Sequence, residues 1–210
     1  MHEQFDQAFW DARYASHDAL WSGNPNAHLI TEAQGLAPGA ALDVGCGEGA
    51  DAIWLAERGW RVTAVDISTV ALQRAVAHAS QVGAEAAAHI DWAHQDARSW
   101  DPGQARFDLV SAQYLHLPAV PRQALFARMA AAVAPGGTLL IVGHHPSDLE
   151  TTMPRPREPD MFFTGDDIAA SLDMQEWAVV RNAAAARTTT DPEGNAVTIH
   201  DTVLRARRRT

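Results

Sequence analysis

The feature that most limits what this chain can fold into is the run Leu42-Asp43-Val44-Gly45-Cys46-Gly47-Glu48-Gly49-Ala50. Ala41 to Val44 reads as a buried strand. Ala50 to Arg58 reads as a helix, with Gly59 as a natural stop. A strand passing through glycines straight into a helix is the opening unit of a parallel α/β sheet. The glycines permit a tight turn and let a ligand approach the backbone. The helix start adds unpaired N–H groups. Gly45-x-Gly47-x-x-Ala50 also matches the dinucleotide fingerprint, so the glycines alone do not choose a ligand.

The pattern repeats downstream. Arg61 to Ile67 is a strand rich in branched residues, and Ser68 caps a helix running to about Val82, closed by Gly83. Ala88 to His94 is a weaker strand, Phe107 to Ala112 a strand, Pro121 to Val133 a helix, and Thr138 to Gly143 a strongly apolar strand. This alternation gives right-handed crossovers and a sheet covered on both faces. Gly165 to Leu172 looks helical. Glu176 to Arg181 and Ala196 to Arg205 look like two strands joined by the turn cluster 191–195, which makes them antiparallel. The expected fold class is α/β: a Rossmann-like, doubly wound, seven-stranded sheet, mostly parallel, with one antiparallel strand near the C-terminus.

Composition removes several function classes. Sixteen arginines face 26 aspartates and glutamates, a formal charge of −10. That balance argues against nucleic acid or an anionic membrane surface as partner. One cysteine, Cys46, excludes an internal disulfide and a cysteine-cluster metal site. No apolar run approaches a membrane span, and the first ten residues lack the order of a signal peptide, so a cytoplasmic location is the expectation. A length of 210 residues fits a single domain, 1–210.

Three carboxylates narrow the ligand. Asp43 stands two residues before Gly45, where it would repel a pyrophosphate and suit an ammonium group. Asp66 ends the second strand, where it can accept from ribose hydroxyls. Gln95-Asp96-Ala97 ends the third strand, placed to meet an adenine edge. With these residues the chain resembles a class I S-adenosylmethionine-dependent methyltransferase, and within that superfamily the small tellurite-resistance and thiopurine-methyltransferase-like group. Phe107-Asp108-Leu109-Val110 followed by Leu115-His116-Leu117, and Ala134-Pro135-Gly136-Gly137-Thr138-Leu139-Leu140, carry the resemblance further, over about residues 5–208.

The resemblance implies S-adenosyl-L-methionine as cofactor and a small-molecule acceptor methylated on O, N, S or a chalcogen. It implies that Asp43, Gly45, Cys46, Gly47 and Gly49 face the methionyl part. Asp66 would hold the ribose, Ile67 would lie against the adenine, and Asp96 and Ala97 would meet its edge. Gln113 would border the methyl-transfer centre. Residues 1–39, carrying Phe9, Trp10, Tyr14 and Trp21, would form a helical lid from which Arg13 could pair with the methionyl carboxylate. Residues 40–143 would be the cofactor-binding core, and 144–210 the substrate-side loop and terminal strands.

Methyl transfer from a sulfonium is an in-line displacement with an activated donor, so no catalytic residue need be visible. His116, His144 and His145 lie after strands at the ligand-binding edge; each is a possible base or a structural residue. Adjacent histidines on an extended chain point oppositely, which disfavours a metal site with Asp148. Arg155 and Arg157 either attract an anionic acceptor or are simply exposed. An NAD-linked oxidoreductase and a catalytically silent binding protein of the same fold are the rival readings. Oligomeric state is left open.

Overall fold

The computed structural model describes residues 5–104, 106–115, 117–156 and 158–210. Helices α1 (Gln7–Ala15) and α2 (Ala27–Ala33) precede β1 (Ala40–Val44), α3 (Ala50–Ala56), β2 (Arg61–Asp66), α4 (Thr69–Val82), α5 (Ala84–Ala88) and β3 (Ile90–His94). Then come β4 (Phe107–Gln113), α6 (Ala119–Ala132), β5 (Val133–His144), α7 (Gly165–Ala169), β6 (Trp177–Thr190) and β7 (Ala196–Arg208).

All seven strands join one sheet in the order β3-β2-β1-β4-β5-β7-β6. The pairs β1–β2, β2–β3, β1–β4 and β4–β5 are parallel; β7 runs antiparallel to both β5 and β6. This is the expected architecture, with β7 as the single reversed strand. The chain winds outward from β1 in one direction and from β4 in the other. Their carboxyl ends therefore splay apart and leave a crevice at the switch point. The glycine run leaves β1 at that place.

Two apolar layers cover the sheet. On one face Leu29 of α2, Trp54 and Leu55 of α3 and Leu72 of α4 pack with Leu109 and Leu140. On the other, Leu125, Phe126 and Met129 of α6 and Ile168 of α7 pack with Leu42, Val110 and Ile141. Strands β4 and β5 are buried on both sides, which is why they read as near-continuous apolar runs. Ser68 caps α4 as expected, its Oγ accepting from the Ala71 N–H at 3.1 Å.

Three elements differ from the sequence expectation. The chain folds into α5 before β3, because Ala84–Ala88 is an alanine-rich turn with good helix propensity. Strand β5 starts at Val133, ahead of Pro135-Gly136-Gly137; between the pairs Phe107↔Val133 and Leu109↔Thr138 the extra residues bulge out of register. Strand β6 runs on to Thr190, far past Arg181. Its alanines carry no strand signal and are held by pairing along β7.

Met129 is fully buried on the inner face of α6. Met129→Ala is expected to destabilise the protein by about 3 kcal/mol, read from the urea unfolding midpoint at unchanged slope.

Candidate functional site

The turn after β1 is built from left-handed glycines: Gly45 at φ +77°, Gly47 at +53° and Gly49 at +87°. Gly49 caps α3, and a Cβ there would meet Trp92 at 2.6 Å and Ala75 at 2.9 Å. No other residue combines that backbone with that space. The turn is pinned by N–H bonds from Gly45 (2.8 Å) and Cys46 (3.0 Å) to the Val65 carbonyl.

Asp66, at the end of β2, grips the turn. Its Oδ2 accepts the Gly47 N–H at 2.8 Å, and its Oδ1 accepts the Ser68 N–H at 2.8 Å. Burial pushes its carboxyl upward while these donors oppose the shift. Asp43 is only 2% exposed, and its Oδ2 makes no hydrogen bond among the described residues. Burial raises its carboxyl well above the usual range, and the charges of Asp51 and Asp66 add to it. Asp51 opens α3 and accepts the Asn26 N–H at 2.6 Å; burial pushes it up to about 6. The structure thus gathers Asp43, Asp66 and Asp51 around the turn. Sequence reasoning missed Asp51, although its place just inside the helix that follows the glycines was a usable signal.

Asp96 stands in a different electrostatic state. Arg98 reaches back to both of its oxygens at 2.8 to 3.0 Å and holds it below the usual carboxylate range. Its loop is tied to the site, because the Gln95 N–H donates to the Asp66 carbonyl at 3.0 Å. The Ala97 carbonyl accepts Arg128 Nη2 of α6 at 2.7 Å. Ile67 is half-buried, and its carbonyl lies 2.9 Å from His94 Nε2. Gln113, closing β4, gives its amide nitrogen to Ser111 at 2.8 Å, while its Oε1 is buried with no partner among the described residues.

The N-terminal segment crosses the turn. Tyr14 is buried, and Trp21 Nε1 donates to its hydroxyl at 3.0 Å. A Cβ on Gly47 would come within 2.9 Å of that hydroxyl. The Trp21 N–H donates to Glu48 at 3.2 Å, and Glu48 is paired with Arg74 at 2.9 Å. Asp11 of α1 accepts from Ser68 Oγ at 2.7 Å and the Val70 N–H at 3.2 Å, at the start of α4. Arg13 is exposed, its guanidinium 5.8 Å over the Trp10 ring.

At the carboxyl end of β5, His144 and His145 diverge as an extended chain requires. His144 stacks 4.9 Å from Tyr114, while His145 Nδ1 meets Ser147 Oγ at 2.9 Å. Asp148 is fully buried, paired with Arg155 at 2.7 Å and accepting the His200 N–H at 2.8 Å. Arg155 is therefore neither exposed nor free to receive an acceptor. His116 and Arg157 lie outside the described residues.

Asp51 yields a test of the electrostatics. Its folded-state pKa lies above that of a free carboxylate, so burial favours the protonated form. The associated stability is present at acid pH and is lost as pH rises through about 6. Asp51→Asn, which keeps the acceptor for Asn26, is expected to stabilise the ligand-free protein by roughly 2 kcal/mol at pH 8. At pH 4.5 the gain should shrink toward zero, as read from paired denaturant titrations.

A methyltransferase-domain family model matches residues 41–137, from β1 to the start of β5. An uncharacterized methyltransferase of Mycobacterium tuberculosis is 39% identical over 127 residues, covering 60% of this chain and 61% of that protein. The trans-aconitate 2-methyltransferase of Streptomyces coelicolor is 37% identical over 139 residues, 63% of this chain and 44% of that one. This chain therefore spans about three fifths or less of the length of these relatives. The crystal structure of TehB from Haemophilus influenzae superposes with TM-score 0.70 at 18% identity, over 97% of this chain and 67% of that one. Sheet order, glycine turn and matched domain together liken this chain to the class I S-adenosylmethionine-dependent methyltransferases.

Proposed function

We propose that this protein transfers a methyl group from S-adenosylmethionine to a small-molecule acceptor. Asp43 carries the reading. A buried carboxylate with an oxygen accepting nothing is costly unless a donor or cation meets it. Two further carboxylates raise that cost. An ammonium group supplies both the charge and the donors, and a pyrophosphate supplies neither. The left-handed turn leaves backbone space beside it for a methionyl chain.

When bound, the cofactor supplies an activated methyl group. The protein's residues then hold, orient and exclude water. Asp43 and the 45–49 backbone take the methionyl part. Asp66 spends one lone pair per oxygen on the turn and keeps the others for ribose hydroxyls. Ile67 backs the adenine, and Asp96 and Ala97 flank its edge. Gln113 brings an amide oxygen with open capacity to the methyl centre. Residues 5–26 act as a lid, and Arg13 reaches a carboxylate by leaving Trp10. The name of the Streptomyces relative, which specifies trans-aconitate, supports a small acceptor.

Calorimetric titration with S-adenosylhomocysteine tests the cofactor. Binding is expected with wild-type protein, and Asp43→Asn is expected to weaken it about tenfold or more. A bound ammonium favours the ionised carboxylates, so binding releases protons and affinity falls as the pH is lowered. Equal affinity at pH 8 and pH 5.5 would remove Asp43 from the contact. A titration with no heat from folded protein would remove the cofactor.

A further inference from the structure

The sheet has a second opening, at the amino-terminal edge of its strands and away from the glycine turn. Strand β3 passes to β4 with no helix between them among the described residues. In a doubly wound sheet a crossover normally lays a helix over the face it spans, so one corner of the α6 face goes without its cover. Register places Leu42, Thr63 and Asp91 side by side on that face, while Ala41, Val62 and Ile90 share the opposite one. The sequence of β2 matches this division. Arg61 and Thr63 are polar and reach solvent on the open face, and Val62 and Ala64 are buried on the other.

The uncovered corner is a cleft of about 310 Å³, lined by Arg61, Thr63, His89, Asp91, Arg106 and Phe107 among others. Arg61 is exposed, and its guanidinium has no hydrogen bond or ion pair among the described residues. Arg106 gives Nη1 to the Pro102 carbonyl at 3.1 Å, and its guanidinium lies 5.4 Å over the Phe107 ring. His89 Nδ1 is buried with no partner among the described residues, a cost that lasts until something bonds to it. Asp91 is the one carboxylate lining the cleft among the described residues, and it is in no ion pair there. Two guanidiniums thus face one carboxylate, in a chain whose formal charge is −10. The cleft is a local cationic spot on an acidic protein.

We propose that this cleft binds a small hydroxylated molecule ending in a phosphate, held by Arg61 and Arg106. The site goes beyond the methyl-transfer reading and does not depend on it. A carboxylate is matched in its plane by one guanidinium fork. The terminal oxygens of a phosphate point in several directions and can meet two forks that come from two different strand starts. Its charge of about −1.5 to −2 at neutral pH balances the pair. Asp91 repels a second anionic group, so the rest of the ligand is uncharged. Asp91 accepts from its hydroxyls, and Thr63 donates to or accepts from them. A cleft of this size lies at the small end of ligand sites and suits a pentose phosphate, not a dinucleotide.

The probe is ribose 5-phosphate, titrated into the full chain by calorimetry at fixed ionic strength, with backbone amide resonances locating it. Wild type should bind it about tenfold tighter than ribose and about threefold tighter than ribonate, which ends in a carboxylate. Amides of 61–63 and 89–91 should shift, and those of 45–49 should not. Arg61→Gln and Arg106→Gln alter exposed side chains and should each weaken binding about tenfold. Arg209→Gln removes one exposed charge elsewhere and should change it by less than about twofold. Asp91→Asn should cut the preference for ribose 5-phosphate over inorganic phosphate by about threefold. No binding by wild type, shifts confined to 45–49, or an equal loss in Arg209→Gln overturns the site. Ribonate binding as tightly as ribose 5-phosphate overturns the phosphate. An unchanged preference in Asp91→Asn overturns the hydroxyl contact. S-adenosylhomocysteine, titrated separately, should keep its affinity within about twofold in Arg61→Gln and Arg106→Gln. Its failure to bind wild type would strike the cofactor reading alone.

Discussion

Like charges held close together and out of water are what the rest of this structure is arranged around. Asp43, Asp51 and Asp66 crowd the turn after β1, and burial penalises the ionised form of each. Two of the three are relieved locally. Asp66 has the N–H groups of Gly47 and Ser68, and Asp51 has that of Asn26. Among the described residues, Asp43 has no such relief on its Oδ2. Distribution of donors, and not residue type, is what sets Asp43 apart from Asp51 and Asp66.

The same donors explain why the N-terminal segment lies where it does. Its polar anchors fall along the carboxyl edge of the sheet: Asp11 on the start of α4, Trp21 on Glu48, Asn26 on Asp51, and His28 on Asp201. A segment tied at these points covers the glycine turn after β1.

Much of this was legible in the sequence because local and long-range signals agreed. The glycine turn, the Ser68 cap and the apolar runs of β4 and β5 each follow from residues within one turn or one strand of themselves. The failures share a cause. Ala183 to Ala186 become strand only through pairing with β7, and Pro135 to Gly137 become a bulge only because Phe107 and Leu109 hold the register around them. His28 and Asp201 are 173 positions apart, and nothing local marks either as the partner of the other.

The third carboxylate, Asp96, stands in a different electrostatic state from Asp43 and Asp66. Asp96 sits at the expected strand end, but Arg98 two positions on folds back and neutralises it. A carboxylate already served by a guanidinium gains little from a further cation. It offers mainly its remaining lone pairs as neutral acceptors, which is the demand of an adenine amino group and not of an ammonium. Asp51, in the first turn of α3, contributes what Asp96 cannot: an unneutralised negative charge that deepens the field at Asp43. The two ends of the crevice thereby differ in kind, with charge concentrated around Asp43 and hydrogen-bonding capacity around Asp96. A ligand that is cationic at one end and neutral at the other has one low-energy orientation there.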